Sequence, residues 1–187
     1  MTDSSDPLWL FARQALRTTL VPDWFEALGL NAGDSLADLG CGAGYVAMRA
    51  ARHVGPSGTV HAVDADPEAV SFLGELVSLY RLDHIHCFVS PLETLAPFDA
   101  PPTAAVMSMV LHHVENQSET LRHLAEVLPG APILIAEFNA EGPCEVGPPK
   151  EMRLTRRQVA TAVRDAGMKP GAVHEQTAEH WFMVAQP

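Results

Sequence analysis

A chain of 187 residues, 47% hydrophobic and 19% charged, has the length and apolar content for one globular unit around one core, and a second domain is not expected. A formal net charge of −11 excludes a generally basic surface, so nucleic acid is not an expected partner, and Arg153, Arg156 and Arg157 form the one dense basic group. Cys41, Cys87 and Cys144 are odd in number and lack C-x-x-C spacing, which excludes a disulfide framework or a thiolate zinc site and fits a reducing cytoplasm; no apolar run reaches the ~18 residues of a membrane span, and no signal peptide is visible.

Residues 1–6 read as a polar, frayed start. An amphipathic stretch over 7–20 predicts a helix with Leu8, Phe11, Ala12, Ala15 and Leu16 on one face. A second helix is expected from Pro22 to Gly29, where glycine suits the position after a helix end. Residues 35–39 read as a buried strand that breaks into Gly40, Gly42 and Gly44 before the chain resumes as a helix to about His53, stopped by the G-P-S-G turn at 55–58.

This glycine stretch, A-D-L-G-C-G-A-G-Y-V-A over 37–47, is the strongest signal in the chain. Its glycines permit a turn and let a ligand lie against bare backbone, while unpaired N–H groups at the start of the next helix favour an anionic group there. A dinucleotide fingerprint would need its third glycine at position 45, where Tyr45 stands. A phosphate-binding P-loop would need a lysine after the glycines, and none follows. What remains is an adenosine-bearing ligand with a carboxylate. Val60 to Val63 forms a second strand ending at Asp64, at about the ~20-residue spacing of a carboxylate that accepts ribose hydroxyls.

Asp66-Pro67-Glu68 spells a helix start, followed by Val70, Leu73, Val77 and Tyr80 facing inward and an end near Leu82. A third strand runs over 85–89. His84 and His86 alternate at its start, but no third ligand is placed by the sequence, so no metal site is expected. Residues 91–103 form a proline-rich connection to a fourth strand over 104–111, and His112 and His113 follow it directly. Ser118 is expected to cap a helix buried through Leu121, Leu124, Ala125 and Leu128. A fifth strand over 133–138 carries Glu137 and Asn139 at its carboxyl end. Residues 140–150 are rich in glycine and proline and could act as a lid. Thr155 to Gln158 spells a capping box for a helix burying Val159, Ala162 and Val163 and ending at Gly167; 172–176 and 180–185 read as closing strands. Strands alternating with helices for five rounds, then a terminal strand pair, predict a three-layer α/β sandwich.

The successive motifs D-L-G-C-G-A-G, V-H-A-V-D-A-D, V-L-H-H-V and I-L-I-A-E-F resemble those of the class I S-adenosylmethionine-dependent methyltransferases, a Rossmann-like family, over roughly residues 30–187. The resemblance implies a mostly parallel seven-stranded sheet with the last strand antiparallel, S-adenosyl-L-methionine as cofactor and S-adenosyl-L-homocysteine as product. It implies a cofactor site of Asp38, Gly40, Cys41, Gly42, Gly44, Asp64, Ala65, Ser90 and Met109, with Asp38 toward the methionine ammonium and Asp64 toward the ribose. The family's acidic contact to adenine would fall at Ser90 or Glu93. Residues 1–30 would form a helical cap on a core of 31–187, covering the cofactor.

A sulfonium methyl is already activated, so the main task is holding an acceptor in line and excluding water; a base is needed only for an acceptor that is protonated at working pH. Ligands in such sheets lie outside the carboxyl ends of the strands, which makes His113 the first candidate base and His112 the second. The acidic surface and short loops point to a small-molecule acceptor. Two alternatives stand: a macromolecule methyltransferase, which would show a basic groove or an N-P-P-Y-type motif where S-M-V-L-H-H stands, and a catalytically silent cofactor-binding partner protein. The acceptor and the oligomeric state stay open, with a homodimer among the options.

Overall fold

The computed structural model describes residues 6–187, so the frayed start expected over 1–6 lies, apart from Asp6, outside the described residues. Asp6 opens α1 (Pro7–Ala15): its carboxylate accepts the Leu8 N–H at 2.9 Å, and Pro7 is pre-set for the first turn. The helix stops at Ala15 and continues as turns, short of the expected residue 20. None of its residues is buried, and Leu8 and Leu16, expected to face the core, are 62% and 81% exposed. The inward side carries Leu10 and Gln14 over the glycine loop and Phe11, one of the expected residues, against Tyr45, Phe72 and the core.

α2 (Val21–Leu28) is seated more deeply. It buries Val21, Trp24 and Phe25 and ends at Gly29, whose φ of 63° is the left-handed conformation glycine tolerates. Trp24 Nε1 donates to Gln176 Oε1 at 2.6 Å, and Gln176 Nε2 donates to the Leu20 carbonyl at 3.0 Å, so α2 is tied to the far end of the chain.

The remaining elements are β1 (Ser35–Leu39), α3 (Tyr45–Val54), β2 (Thr59–Asp64), α4 (Pro67–Tyr80), β3 (Ile85–Val89), β4 (Ala104–Ser108), α5 (Gln117–Val127), β5 (Ile133–Phe138), α6 (Arg156–Asp165), β6 (Lys169–Glu175) and β7 (His180–Gln186). They form a seven-stranded sheet in the order β3-β2-β1-β4-β5-β7-β6, parallel from β3 to β5, with β7 antiparallel to both β5 and β6. Alternating side chains feed two cores. Leu36, Val60, Ala62 and Leu134 pack with α2 and α3, whereas Ala37, Leu39, Met107 and Ile135 pack with α5 and α6. This is the expected three-layer sandwich.

Several details depart from expectation. The β3–β4 crossover carries only a 3₁₀ turn, Leu92–Thr94, so strand and helix do not alternate for five full rounds; the prolines of 91–102 leave no uninterrupted helical stretch. β4 ends at Ser108 rather than at 111: the Met109 N–H still donates to the Ala136 carbonyl at 2.8 Å, but φ at Met109 is 59°, which turns the chain out of the sheet. Asn116, not Ser118, caps α5 by accepting the Glu119 N–H, since asparagine is as good a cap and stands one residue before the helix. Tyr80, expected inward on α4, is 55% exposed.

Candidate active site

The strand order reverses at β1 and β4, which lie side by side while their connections run to opposite sides, and the crevice outside their carboxyl ends is where such sheets bind ligands. Two glycines form its floor. Gly40 has a φ of 74° and a side chain there would strike Val110; Gly42 has a φ of 52° and a Cβ there would come within 2.7 Å of Gln14 Nε2. The loop is pulled back over β2. Gly40 and Cys41 N–H groups donate to the Val63 carbonyl at 2.8 and 2.9 Å, and Asp64 Oδ2 accepts the Gly42 N–H at 2.6 Å. From above, Gln14 bridges the loop: its Nε2 donates to the Cys41 carbonyl at 2.8 Å and its Oε1 accepts the Tyr45 N–H at 3.4 Å.

At the other end of the crevice, His112 is held by Glu137. His112 Nδ1 lies 2.8 Å from Glu137 Oε2, and the His112 backbone N–H donates to Oε1 at 3.1 Å. Glu137 is 0% exposed. A carboxylate only accepts, so this contact assigns the proton to Nδ1 and leaves Nε2 with its lone pair. His113 stacks obliquely on His112, ring centroids 4.1 Å apart, but is itself solvent-exposed. Partial burial holds the His113 imidazole below its ordinary value, and the neighbouring His112 adds to that. Phe138 follows Glu137 and is ringed by cationic and imidazole groups: Arg17 and Arg153 stand 5.9 and 5.3 Å from its centroid, and the His180 ring lies 5.3 Å away.

A cavity of about 530 Å³ joins the two ends. It runs from Pro91, Leu92 and Glu93, past Asp64 and the glycine loop, to His112, Phe138 and the turn at Gly147 and Pro148, roofed by α1. Residues 36–130 match the methyltransferase domain family, just over half of the chain. The chain belongs to this family. Its cofactor is S-adenosyl-L-methionine.

Among curated proteins, this methyltransferase is similar to the 2-phytyl-1,4-naphtoquinone methyltransferase of Trichormus variabilis, 32% identical over 113 residues, which are 59% of this chain and 49% of that one. It is also similar to an uncharacterized 37.1 kDa protein of Streptomyces fradiae, 30% identical over 60% of this chain and 32% of the other. The chain thus spans half or less of the length of the curated relatives it matches. Among solved structures, a SAM-dependent methyltransferase from Aquifex aeolicus superposes with a TM-score of 0.82 at 25% identity over 88% of each chain. The geranyl diphosphate C-methyltransferase of Streptomyces coelicolor A3(2), solved with S-adenosyl-L-homocysteine, shares the fold with a TM-score of 0.72 at 16% identity over 92% of this chain and 80% of that one.

The methyltransferase cavity gathers Gly40, Gly42, Asp64, Ala65, Met109, His112 and His113 from the residues read as functional. It does not gather the other four. Asp38 lies beneath the loop, 1% exposed, and its two carboxylate oxygens have no hydrogen-bond partner. Burial pushes its carboxyl up to about 7, opposed by the Ala47 N–H and reinforced by the charge of Asp64. Cys41 points its thiol away into the core and contributes only its carbonyl; burial, then the charges of Asp38 and Asp64, raise that thiol. Gly44 packs on Leu73 and starts α3. The Ser90 hydroxyl turns to the Pro91 carbonyl at 3.0 Å, and its neighbours Pro91 to Glu93 face the cavity instead.

The cradle fits the cofactor: bare backbone at Gly40 and Gly42, a carboxylate at Asp64, and an orphaned buried carboxyl below. Glu137 had no assigned role in the sequence reading. The one signal for it in the sequence is an acid inside an otherwise apolar strand, I-L-I-A-E-F. Among the described residues no cluster of metal ligands occurs, and His84 Nε2 donates to the Ala51 carbonyl at 2.9 Å.

Proposed function

We propose that this protein transfers a methyl group to a small-molecule acceptor, with His112 taking the acceptor's proton and Glu137 holding His112 in place. The observation that carries this reading is the single cavity that has the glycine loop and Asp64 at one end and the buried Glu137–His112 pair at the other. The cofactor, when bound, supplies an activated methyl group on a sulfonium. Asp64 keeps lone pairs for ribose hydroxyls beyond those given to Gly42 and Asp66. The backbone of Gly40 and Gly42 receives the methionine portion, and Asp38 sets the charge beneath it. Glu137 fixes the tautomer and direction of His112, so that Nε2 accepts a proton as the acceptor's oxygen or nitrogen is alkylated.

A small acceptor is supported by the charge distribution as well. Arg153 and Arg156, two members of the basic group, are engaged with Glu179, Glu141 and Glu175, so the chain's densest cationic stretch offers little to a phosphate backbone. The acceptors named for the similar enzymes, a naphthoquinone and geranyl diphosphate, are small molecules. No described helix is long and apolar enough to cross a membrane, and three free cysteines fit the cytoplasm as the place of action. The cap formed within residues 1–30 closes the cofactor end.

Calorimetry with S-adenosylmethionine, S-adenosylhomocysteine and NAD tests the cofactor half; the first two should bind and NAD should not, because Tyr45 begins α3 where a third fingerprint glycine would stand. NAD binding of comparable strength overturns it. A methylation screen of a metabolite library with labelled cofactor tests the transfer half, and cofactor binding with no acceptor labelled would favour the silent partner protein.

A further inference from the structure

Two guanidinium groups stand over the Phe138 ring, and they are used differently. Arg153 is buried and bonded through every nitrogen: Nε donates to the Pro148 carbonyl at 3.0 Å, Nη1 to the Asn139 carbonyl at 3.0 Å and to Glu179 Oε2 at 2.8 Å, and Nη2 to the Val146 carbonyl. The Arg17 guanidinium makes no hydrogen bond and no ion pair with any described residue, although the residue is partly buried and lines the cavity. Nearby acids do not account for it. Glu137 accepts from His112 and the Phe138 N–H, Glu179 accepts from Arg153 and the Glu145 N–H, and neither carboxylate bonds the Arg17 guanidinium.

Resting on the methyltransferase reading, we propose that the acceptor carries an anionic group, a carboxylate or a phosphate, which Arg17 holds over Phe138 while the reacting atom faces His112. A guanidinium that lines the cavity with no protein partner keeps its donors free for a ligand, and a planar fork of donors matches either anion. Burial and the neighbouring Arg13 lower Arg17 to about 10 against the opposing charge of Glu137, so it remains a cation at neutral pH. The cofactor's own carboxylate is a poorer candidate. Phe138 ends β5, two strands from β1 and its glycine loop, and strands are spaced roughly 4.8 Å apart, which sets the two ends about 10 Å apart.

The test is calorimetry on the full chain saturated with S-adenosylhomocysteine, titrated with benzoate, phenyl phosphate and the uncharged benzamide. At least one anion should bind 10-fold or more tightly than benzamide, and which one does so separates carboxylate from phosphate. Arg17→Gln should remove that preference while leaving benzamide and S-adenosylhomocysteine binding unchanged, and Arg17→Lys should retain part of it. Equal binding of benzamide and both anions, or no anion binding at all, overturns the proposal without any variant. Weakened S-adenosylhomocysteine binding by a folded Arg17→Gln would give Arg17 to the cofactor instead. Failure of the unaltered protein to bind S-adenosylhomocysteine would be the failure of the underlying reading, and the proposal would go with it.

Discussion

Asp38, Asp64 and Glu137 are three carboxylates at one crevice with three different duties, and the differences come from what each oxygen touches. Asp64 is bonded to backbone and reaches the cavity, so Asp64→Ala should weaken S-adenosylhomocysteine binding by about 1 to 3 kcal/mol in calorimetry. Unchanged affinity in a folded variant would remove Asp64 from the site. Asp38 has no partner, and its folded carboxyl is raised to about 7. A raised folded value favours the protonated form, so its stabilising contribution is complete below the unfolded value near ~3.9 and is lost as pH rises through about 7. Asp38→Asn should therefore match the unaltered protein near pH 4 and exceed its unfolding free energy by roughly 2 to 4 kcal/mol at pH 8, measured by urea denaturation. A variant no more stable at pH 8 than its parent would refute this account of the buried acid. Glu137→Gln should leave cofactor binding intact but lower turnover about 10- to 10³-fold on a protonated acceptor, because the amide no longer fixes the His112 tautomer. Full turnover in that variant would return His113 to first place. The sequence named both histidines and put His113 first for facing the acceptor side; what distinguishes His112 is a contact 25 positions away in the chain, which no local pattern encodes.

Elements with strong local chemistry were legible in the sequence, and those decided by distant contacts were not. The Thr155–Gln158 capping box forms with both reciprocal bonds, Asp66 caps α4, and the strand bounds of β1, β3 and β5 stand as read. β4 failed at its end because Met109 leaves the sheet through a positive φ, a conformation costing of order 1 to 3 kcal/mol that only the surrounding fold can impose. α1 was legible in part: Phe11 packs on the core as expected, whereas Leu8 and Leu16 face solvent, since an amphipathic stripe does not say what the helix will lie on. The segment 140–150 was readable as a loop but not as a pinned one. Arg153 gathers three carbonyls from 139, 146 and 148 and pairs with Glu179, and Gly147 packs against Phe138. Arg153→Ala should leave those carbonyls without their side-chain donor and cost about 3 to 5 kcal/mol, a fall in Tm of roughly 6 to 20 °C at this chain length. Limited proteolysis should cut first within 140–150. A Tm within 2 °C of the parent, against the shift estimated from chain length, would show the loop to be held by something other than Arg153.

Across the molecule, the two N-terminal helices divide anchoring from covering. α2 is locked by Trp24 in the core and by Gln176 at the end of β6, a tie spanning 152 positions that joins the start of the chain to its closing strand pair. α1 buries none of its residues and meets the rest mainly through Gln14 on the glycine loop and Phe11 beside Tyr45. Turns over residues 16–20 connect them. A helix with so little apolar surface removed from water has a small free energy of local opening, whereas one in the core opens only with the whole fold. Its inner face nonetheless supplies Leu10, Arg13 and Gln14 to the cavity, and the turns after it supply Arg17, so a ligand there adds contacts to α1 and none to the buried side of α2. Hydrogen exchange should accordingly find the α1 amides exchanging through local opening in the free protein, far faster than those of α2 and the central strands. S-adenosylhomocysteine at 100 times its dissociation constant should slow the α1 amides by up to about 100-fold where opening requires release of the ligand, with smaller changes in α2 beyond the global gain. Equal protection of α1 and α2 in the free protein would show that α1 is part of the rigid body, and no added protection on binding would mean that it does not cover the ligand at all.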